Sequence, residues 1–520
     1  MRYLPAMILC LVLPIAAAGA QDDSSVFPDD IDSLFGDPDD GAADGTAGES
    51  GGETPEPGSW DADPFGEDDL DSLFGEEAGT IREAGTILNP EDAFLESGGV
   101  TWNGRFAGSA EAQIRWRELP PSGSEWSEYS DALLFALESR LSFDARPERD
   151  YRVAGTFRIR YPFFASITGM NGSTAQVPSI GIYELFADFS RNDRLFFRFG
   201  KQTAAWGLSR FYQPADPIST EVKNPEKAGE TLEGPLALRI TLPVGLHTLF
   251  GYVVAKDSYL PANLGELGLD NLGYGLKADF FLPTPERFLF SDTELSLGAY
   301  YQKDLAPRAV LGLSTSIGKV ALFTDQVLSW GADSFRLTDE ELFPGSGIYG
   351  TERPEDGLFY SATLGFMYQH SDWHMTLYGE YYYNGYGSTD PGYLEKLLAR
   401  FGAENAVPPI PGLERTLSVS DLAGYQSTHN SAVSLAFSEL FGSDDWSANL
   451  FWQQNWIDRS GLVVPSLTFT PWKYLSVTAG ARLAFGDDGT EFVMKLSDMS
   501  SGEPRRLTGY IAVSLGSGRF

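Results

Sequence analysis

From residue 100 onward, polar and apolar side chains alternate with a period of two, segment after segment. Ala110, Ala112, Ile114 and Trp116 interleave with Glu111, Gln113, Arg115 and Arg117. Phe135, Leu137, Leu141 and Phe143 interleave with Glu138, Arg140 and Asp144, and Val153, Phe157, Ile159 and Tyr161 with Arg152, Thr156, Arg158 and Arg160. Later segments keep the same chemistry: Leu295, Leu297 and Ala299 oppose Glu294 and Ser296, Met375, Leu377 and Tyr381 oppose Thr376 and Glu380, and Leu475, Val477 and Ala479 oppose Ser476 and Thr478. Alternation of this kind predicts strands with two unlike faces. Charge at such density on the second face is foreign to a packed core and ordinary for a wet lumen.

Connection lengths support the same reading. Tight turns are expected at 145–150, 190–194, 243–246, 317–319, 370–372, 441–445 and 470–473, and between them fall the longer stretches 119–129, 162–179, 208–233, 256–271, 331–357 and 384–428. The connections at 302–307 and 457–461 are short where long ones are expected. Alternating short and long connections are those of an all-β, transmembrane, antiparallel β-barrel over residues 98–520. It has about eighteen strands, or sixteen if two weak segments merge, with both ends on the short-turn side. Leu394, Leu397, Leu398 and Phe401 recur at helical spacing, which predicts a short lid helix over 393–401 in the longest loop. Residues 491–496 read as an extra strand or a hairpin within the last outer loop. Ile511, Val513 and Leu515 fall out of phase with the terminal Phe520, and a bulge at 516–518 would reconcile them.

The N-terminal fifth has another character. Residues 1–20 read as a signal peptide: Arg2, an apolar run, and Ala18, Gly19 and Ala20 before the expected cleavage point. The single cysteine, Cys10, lies inside that run. Residues 21–97 hold 24 Asp and Glu against one basic residue, Arg82, and make up most of the net charge of −36. So acidic a stretch, short of apolar residues, cannot bury enough surface to offset chain entropy and is expected to be a disordered periplasmic segment. Within it DDIDSLFG at 29–36 returns as DDLDSLFG at 68–75. Leu34 and Phe35, matched by Leu73 and Phe74, make a bivalent docking motif for a periplasmic partner the natural expectation; a solvated spacer is the plain alternative.

The stretch RLFFRFGKQTAAWGLSRFYQPADPIST at 194–220 joins one strand to a long, proline-punctuated loop. Its Gly-Lys-Gln, Trp-Gly, Phe and Asp-Pro elements resemble the signature of bacterial outer-membrane porins of the alginate-export and related substrate-specific types. In such porins a loop after an early strand narrows the channel. The resemblance therefore implies that residues 208–233 form a constriction, with Arg210, Asp216, Glu221 and Lys223 as its charged members. It also implies an outer-membrane location in a diderm bacterium and contact with outer-membrane lipid. The terminal Phe520 resembles the assembly signal of bacterial outer-membrane barrels, which implies insertion by the barrel assembly machinery; porins often form homotrimers, and nothing in the sequence marks such an interface.

Charge on the inward face is uneven. Arg115, Arg117, Arg140, Arg152, Arg158, Arg160 and Arg198 all fall on the expected lumen face of the first five strands, where they would steer anionic solutes. Salt bridges to Glu111, Glu138, Glu184 and Asp188 that merely stabilise the wall are the alternative. Asp325, Glu380 and Glu439, with Tyr300 and Tyr378, are expected on the opposite wall, Glu380 lining the channel. The expected function is passive diffusion of small hydrophilic, perhaps anionic, solutes. An outer-membrane anchor or adhesin, or a plugged transporter of hydrophobic solutes, are the competing readings. No catalytic site is expected: His374, His429 and Ser431 lack an evident triad partner. No spacing suggests a metal site or cofactor, and a pI of about 4.4 argues against nucleic acid.

Overall fold

In the computed structural model of the chain, the described residues are 100–116, 129–148, 150–168, 174–192, 194–204, 206–218, 223–228, 234–255, 272–283, 290–303, 305–405, 410, 413–414, 416–417, 422, 426–472, 474–495 and 506–519. The expected signal peptide, the acidic segment with its docking residues Leu34, Phe35, Leu73 and Phe74, and the residues Arg117, Glu221 and Phe520 lie outside them.

Among the described residues, eighteen strands join edge to edge into one sheet, each antiparallel to the next. They are β1 (Val100–Trp116), β2 (Tyr129–Glu148), β3 (Tyr151–Thr168), β4 (Thr174–Arg191), β5 (Leu195–Lys201), β6 (Leu236–Val244), β7 (His247–Ala255), β8 (Gly273–Leu282), β9 (Ser291–Tyr301), β10 (Arg308–Ile317) and β11 (Val320–Trp330), then, after a small hairpin, β14 (Leu358–His370), β15 (Met375–Tyr383), β16 (His429–Phe437), β17 (Trp446–Asn455), β18 (Gly461–Trp472), β19 (Leu475–Phe485) and β20 (Leu507–Arg519). The hairpin, β12 (Arg336–Glu341) and β13 (Tyr349–Glu352), stands apart from that sheet. Pairing of β20 with β1, from Trp116 opposite Leu507 to Arg105 opposite Arg519, closes the cylinder and leaves no free edge. The expected count of eighteen holds.

The expected bulge is present. Phe106 faces Ser517 while Arg105 faces Arg519, so one extra residue of β20 is accommodated there. The segment expected to form an extra strand or hairpin is instead a short helix, α2 (Glu491–Lys495). Its start is held by wall-side groups: Asp458 Oδ2 accepts the Glu491 N–H at 2.7 Å, and Ser460 Oγ accepts the Phe492 N–H at 3.3 Å. The lid helix, α1 (Tyr393–Glu404), runs three residues beyond its expected end.

Strand alternation sorts the two faces as anticipated. Leu133, Phe135, Leu137, Ile180, Phe199, Leu297, Leu364, Leu450, Ile511 and Leu515 are exposed on the outside. Trp373, Phe441, Trp472 and Tyr474 stand at the short-turn rim, with Trp330, Tyr360 and Trp456 toward the other. An apolar band between two aromatic rims is stable in a bilayer and costly in water. Beyond the long-loop rim, Leu394 and Leu397 of α1 pack with Leu417, Leu422, Phe335, Leu337 and Met494, so residues from three outer connections form one cap. Among the described residues no helix is long and apolar enough to cross a membrane, which is immaterial to a chain that crosses with strands.

Candidate channel constriction

The wall opens where β5 ends. Gly200 has φ +138°, and a Cβ there would lie 2.2 Å from the Leu185 carbonyl oxygen, so this close approach of two strands requires glycine. Two residues on, the backbone turns into the bore. Gln202, fully buried, closes the neck of the excursion: its backbone N–H donates to Pro235 O at 3.2 Å and its side-chain Nε2 to Ala237 O at 2.9 Å. The Thr203 N–H and hydroxyl donate to Glu184 Oε1 at 3.2 and 2.7 Å.

Trp206 is the first side chain to cross. Its ring lies in a hollow of β8 and β9 floored by Gly275 and Gly298, where added Cβ atoms would stand 2.7 and 2.9 Å from ring carbons. Tyr252 and Tyr300 flank it, with ring centres 5.3 and 6.2 Å away. Smooth glycine floors admit the indole; any larger residue would expel it.

Two wall carboxylates then clasp five consecutive backbone N–H groups. Asp325 of β11 accepts the N–H of Leu208, at 3.0 and 2.9 Å from its two oxygens, the Ser209 N–H at 2.9 Å and the Ser209 hydroxyl at 2.6 Å. Glu380 of β15 accepts the N–H of Phe211 and of Tyr212, each at 3.0 Å, the N–H of Arg210, and the Tyr378 hydroxyl at 2.6 Å. A turn of five unpaired donors would be costly to bury, and ionised acceptors make the strongest replacement for water. Around the clasp, Phe211 meets Tyr378 and Phe451 edge to face at 5.0 and 5.6 Å, and Tyr212 stacks on Tyr382 at 5.0 Å.

The loop continues to the far wall. Glu226, in a single turn capped by Asn224, pairs with Arg482 of β19 at 2.6 Å, and Arg482 stands 3.8 Å from Glu111 of β1. Phe492 of α2 packs into the same cluster as Phe211, Tyr212, Phe451, Leu462 and Val464. The loop is thus tied to β4, β11, β15 and β19, with α2 filling the space behind it.

The opposite wall carries arginine. Arg140 and Arg158 face each other in register, like charges that would repel. Glu138 bridges them, 2.7 Å from Arg140 and 2.5 Å from Arg158, and reaches Arg160 at 3.3 Å. Asp144 joins Arg146 and Arg152 at 3.2 and 3.0 Å, and Asp188 joins Arg152 and Arg198 at 3.5 and 2.7 Å. Exposure differs along the row: the side chains of Arg158 and Arg198 are 4% and 8% exposed, that of Arg160 is 36%. A cavity of about 190 Å³ opens on this wall, lined by Asn103, Asp144, Arg152, Thr156, Glu184 and Phe186 among others.

Of the residues singled out from the sequence, Arg140, Arg152, Arg158, Arg160 and Arg198 come together. Arg115 does not: it lies ten residues along β1 from the position opposite Arg140, roughly 33 Å at strand rise. Glu380, expected to line the channel, is 3% exposed and Asp325 is fully buried; their charge faces the loop and not the bore. Arg210 presents its N–H to Glu380 and its guanidinium near the Tyr378 ring, Asp216 accepts the Ile218 N–H at 3.0 Å, and Lys223 is buried. Glu439, expected on the acidic wall, sits in the β16–β17 turn beside His374, at 3.2 Å. His429 faces outward against the Tyr381 hydroxyl at 2.5 Å, and Ser431 accepts the Trp456 indole N–H. Reading the sequence missed the pairing of Glu226 with Arg482, whose 256-residue separation leaves no local signal, and the glycine floor under Trp206.

No family model matches the chain, and no curated protein does. Among solved structures it is similar to Pseudomonas aeruginosa OccK8 (OprE), at 12% identity over 80% of this chain and 98% of that one, with a TM-score of 0.43. Acinetobacter baumannii OccAB1 is 10% identical over 80% of this chain and 96% of its own, TM-score 0.43. A BenF-like porin from Pseudomonas fluorescens Pf-5 is 10% identical over 81% and 99%, TM-score 0.40. The barrel rests on its own strand pairing. Likeness at this level adds nothing to that.

Proposed function

We propose that the chain is a porin-like outer-membrane channel through which small hydrophilic solutes diffuse passively, with anions favoured. The observation that carries the reading is the unequal treatment of charge on the two walls. Asp325 and Glu380 are spent on loop N–H groups, whereas Arg140, Arg152 and Arg160 keep part of their surface open on the β2–β3 wall. A narrowed bore with low-dielectric sides concentrates the field of the charges that remain, and guanidinium forks grip carboxylate or phosphate well. The exposed apolar band supports a seat in outer-membrane lipid, and β1 beginning at the short-turn rim supports an N-terminal segment on the periplasmic side. Purified protein in planar bilayers should give stepwise conductance, with a reversal potential under a KCl gradient that favours chloride. A barrel that inserts and never conducts, or one that favours potassium, would overturn this reading.

A further inference from the structure

Gln326 is out of place for a side chain that faces lipid. Alternation along β11 turns Asp325 and Val327 inward, both buried, and Gln326 outward with Leu328, which is exposed. In register it lies between Leu311 of β10 and Ala362 of β14. β11 runs from Val320 at the short-turn rim to Trp330 at the other, so Gln326 stands roughly 20 Å along the strand from one rim and roughly 13 Å from the other. That is too far for its amide to reach either headgroup layer. An amide without a partner in hydrocarbon is costly.

The other polar groups of this face find partners in their own barrel. The Thr324 hydroxyl donates to Thr363 O at 2.6 Å, the Thr293 and Thr315 hydroxyls meet at 3.0 Å, and Ser431 accepts the Trp456 indole N–H at 2.8 Å. Gln454, an outward amide opposite Ser431, is two residues from Trp456 at the long-loop rim. Among the described residues, none exchanges a hydrogen bond with the Gln326 amide.

We infer that Gln326 meets Gln326 of a second copy of this chain, across a two-fold axis normal to the membrane. An amide is its own complement: each carbonyl accepts from the other's N–H₂, so one contact closes two hydrogen bonds where lipid offers none. Both copies insert with their short turns on one side, which fixes the direction of the axis. The surroundings let the walls approach. Ala309 and Ala362 are small, and Leu311, Leu328 and Leu364 would interdigitate as two packed sheet faces do, about 10 Å apart.

Symmetry selects the dimer. The outward hydroxyl of Ser139, opposite Phe106 and Ile159, belongs to β2, on the far side of an eighteen-stranded cylinder. Pairing Gln326 with it would extend an open row instead of closing. A three-fold ring would set Gln326 against a face about three strands away. That face is β8, with Leu276 and Ala278, or β16, where Ser431 already holds Trp456.

Association of the full chain tests this without reference to conduction. At sedimentation equilibrium in a density-matched detergent the protein should run as a dimer. Gln326→Leu, a change that lipid itself favours, should weaken association by about tenfold, whereas Gln454→Leu, the same exchange at the rim, should leave it unchanged. Only protein that keeps the heat-dependent gel shift of a folded barrel is scored. In liposomes, with the chain's one cysteine removed by Cys10→Ser, Leu328→Cys should form a disulfide between copies severalfold faster than Leu276→Cys. A monomer at every protein-to-detergent ratio, a trimer, a dimer indifferent to Gln326→Leu, or equal crosslinking rates would each overturn the inference. A dimer that never conducts would sink the channel reading and leave this one standing.

Discussion

Glu380 Oε2 lies 3.0 Å from the backbone nitrogen of Phe211, 169 positions earlier in the chain. That bond, with those of Asp325, holds an irregular loop against a regular wall. Asp325 and Glu380, expected on the wall opposite the arginines, are instead the loop's anchors.

Replacing Glu380 with glutamine should loosen the loop. The amide keeps one acceptor oxygen where the carboxylate offered two, and turns an N–H₂ toward the donors of Arg210, Phe211 or Tyr378. Loss of two charge-assisted bonds costs about 2–4 kcal/mol. Single-channel records should show current fluctuations several times more frequent than in the unaltered protein; an unchanged trace would separate this carboxylate from the loop's rigidity.

The glycine floor is a sharper lever on the same loop. Gly298→Val puts two methyl groups where the Trp206 ring now rests, which costs about 1–3 kcal/mol or displaces the indole. Displacing the indole from this hollow should shift the tryptophan emission maximum to the red and lower the heat-modification midpoint. If neither moves, Trp206 does not occupy that hollow.

Among the arginines, exposure decides which one solutes meet. Arg160→Gln should move the reversal potential toward cations, because its head group is open to the bore. Arg158→Gln should move it much less and instead lower stability by about 3–5 kcal/mol, since its buried head group is held by Glu138 and by the Tyr183 hydroxyl. Equal selectivity shifts from the two variants would count against a passage along the Arg160 side.

The outer cap has its own pH dependence. Burial would raise the Glu404 carboxyl, but the N–H groups of Leu417 and Thr416, the Thr416 hydroxyl and Arg400 outweigh it and hold the group below the usual carboxylate range. A carboxylate lowered in the folded state stabilises the cap fully above its ordinary value of about 4.3. That stabilisation is lost as pH falls through the lowered value. Hydrogen exchange in α1 should therefore quicken as pH falls below the ordinary carboxylate range, and Glu404→Gln should exchange fast above and below it; a wild-type rate that stays flat as the pH is lowered, after correction for intrinsic exchange, would refute this role for Glu404.

The amino-acid pattern by itself determined the strands, their two faces, the closure into about eighteen, the lid helix and the bulge before the C-terminus. A strand's side chains must alternate, and each face must match oil or water, so periodicity carries that information locally. Gly200, Gln202, Trp206 and Phe211 stood out as a group through the resemblance to a porin signature, yet their partners could not be read from it. Only the tertiary structure decided that Asp325 and Glu380 hold the loop, that Glu226 reaches Arg482, that residues 491–495 coil inward as a helix, and that Arg160 is open while Arg158 is sealed. Those outcomes depend on the path of an irregular segment among strands more than a hundred residues away, and nothing in a period of two encodes that path.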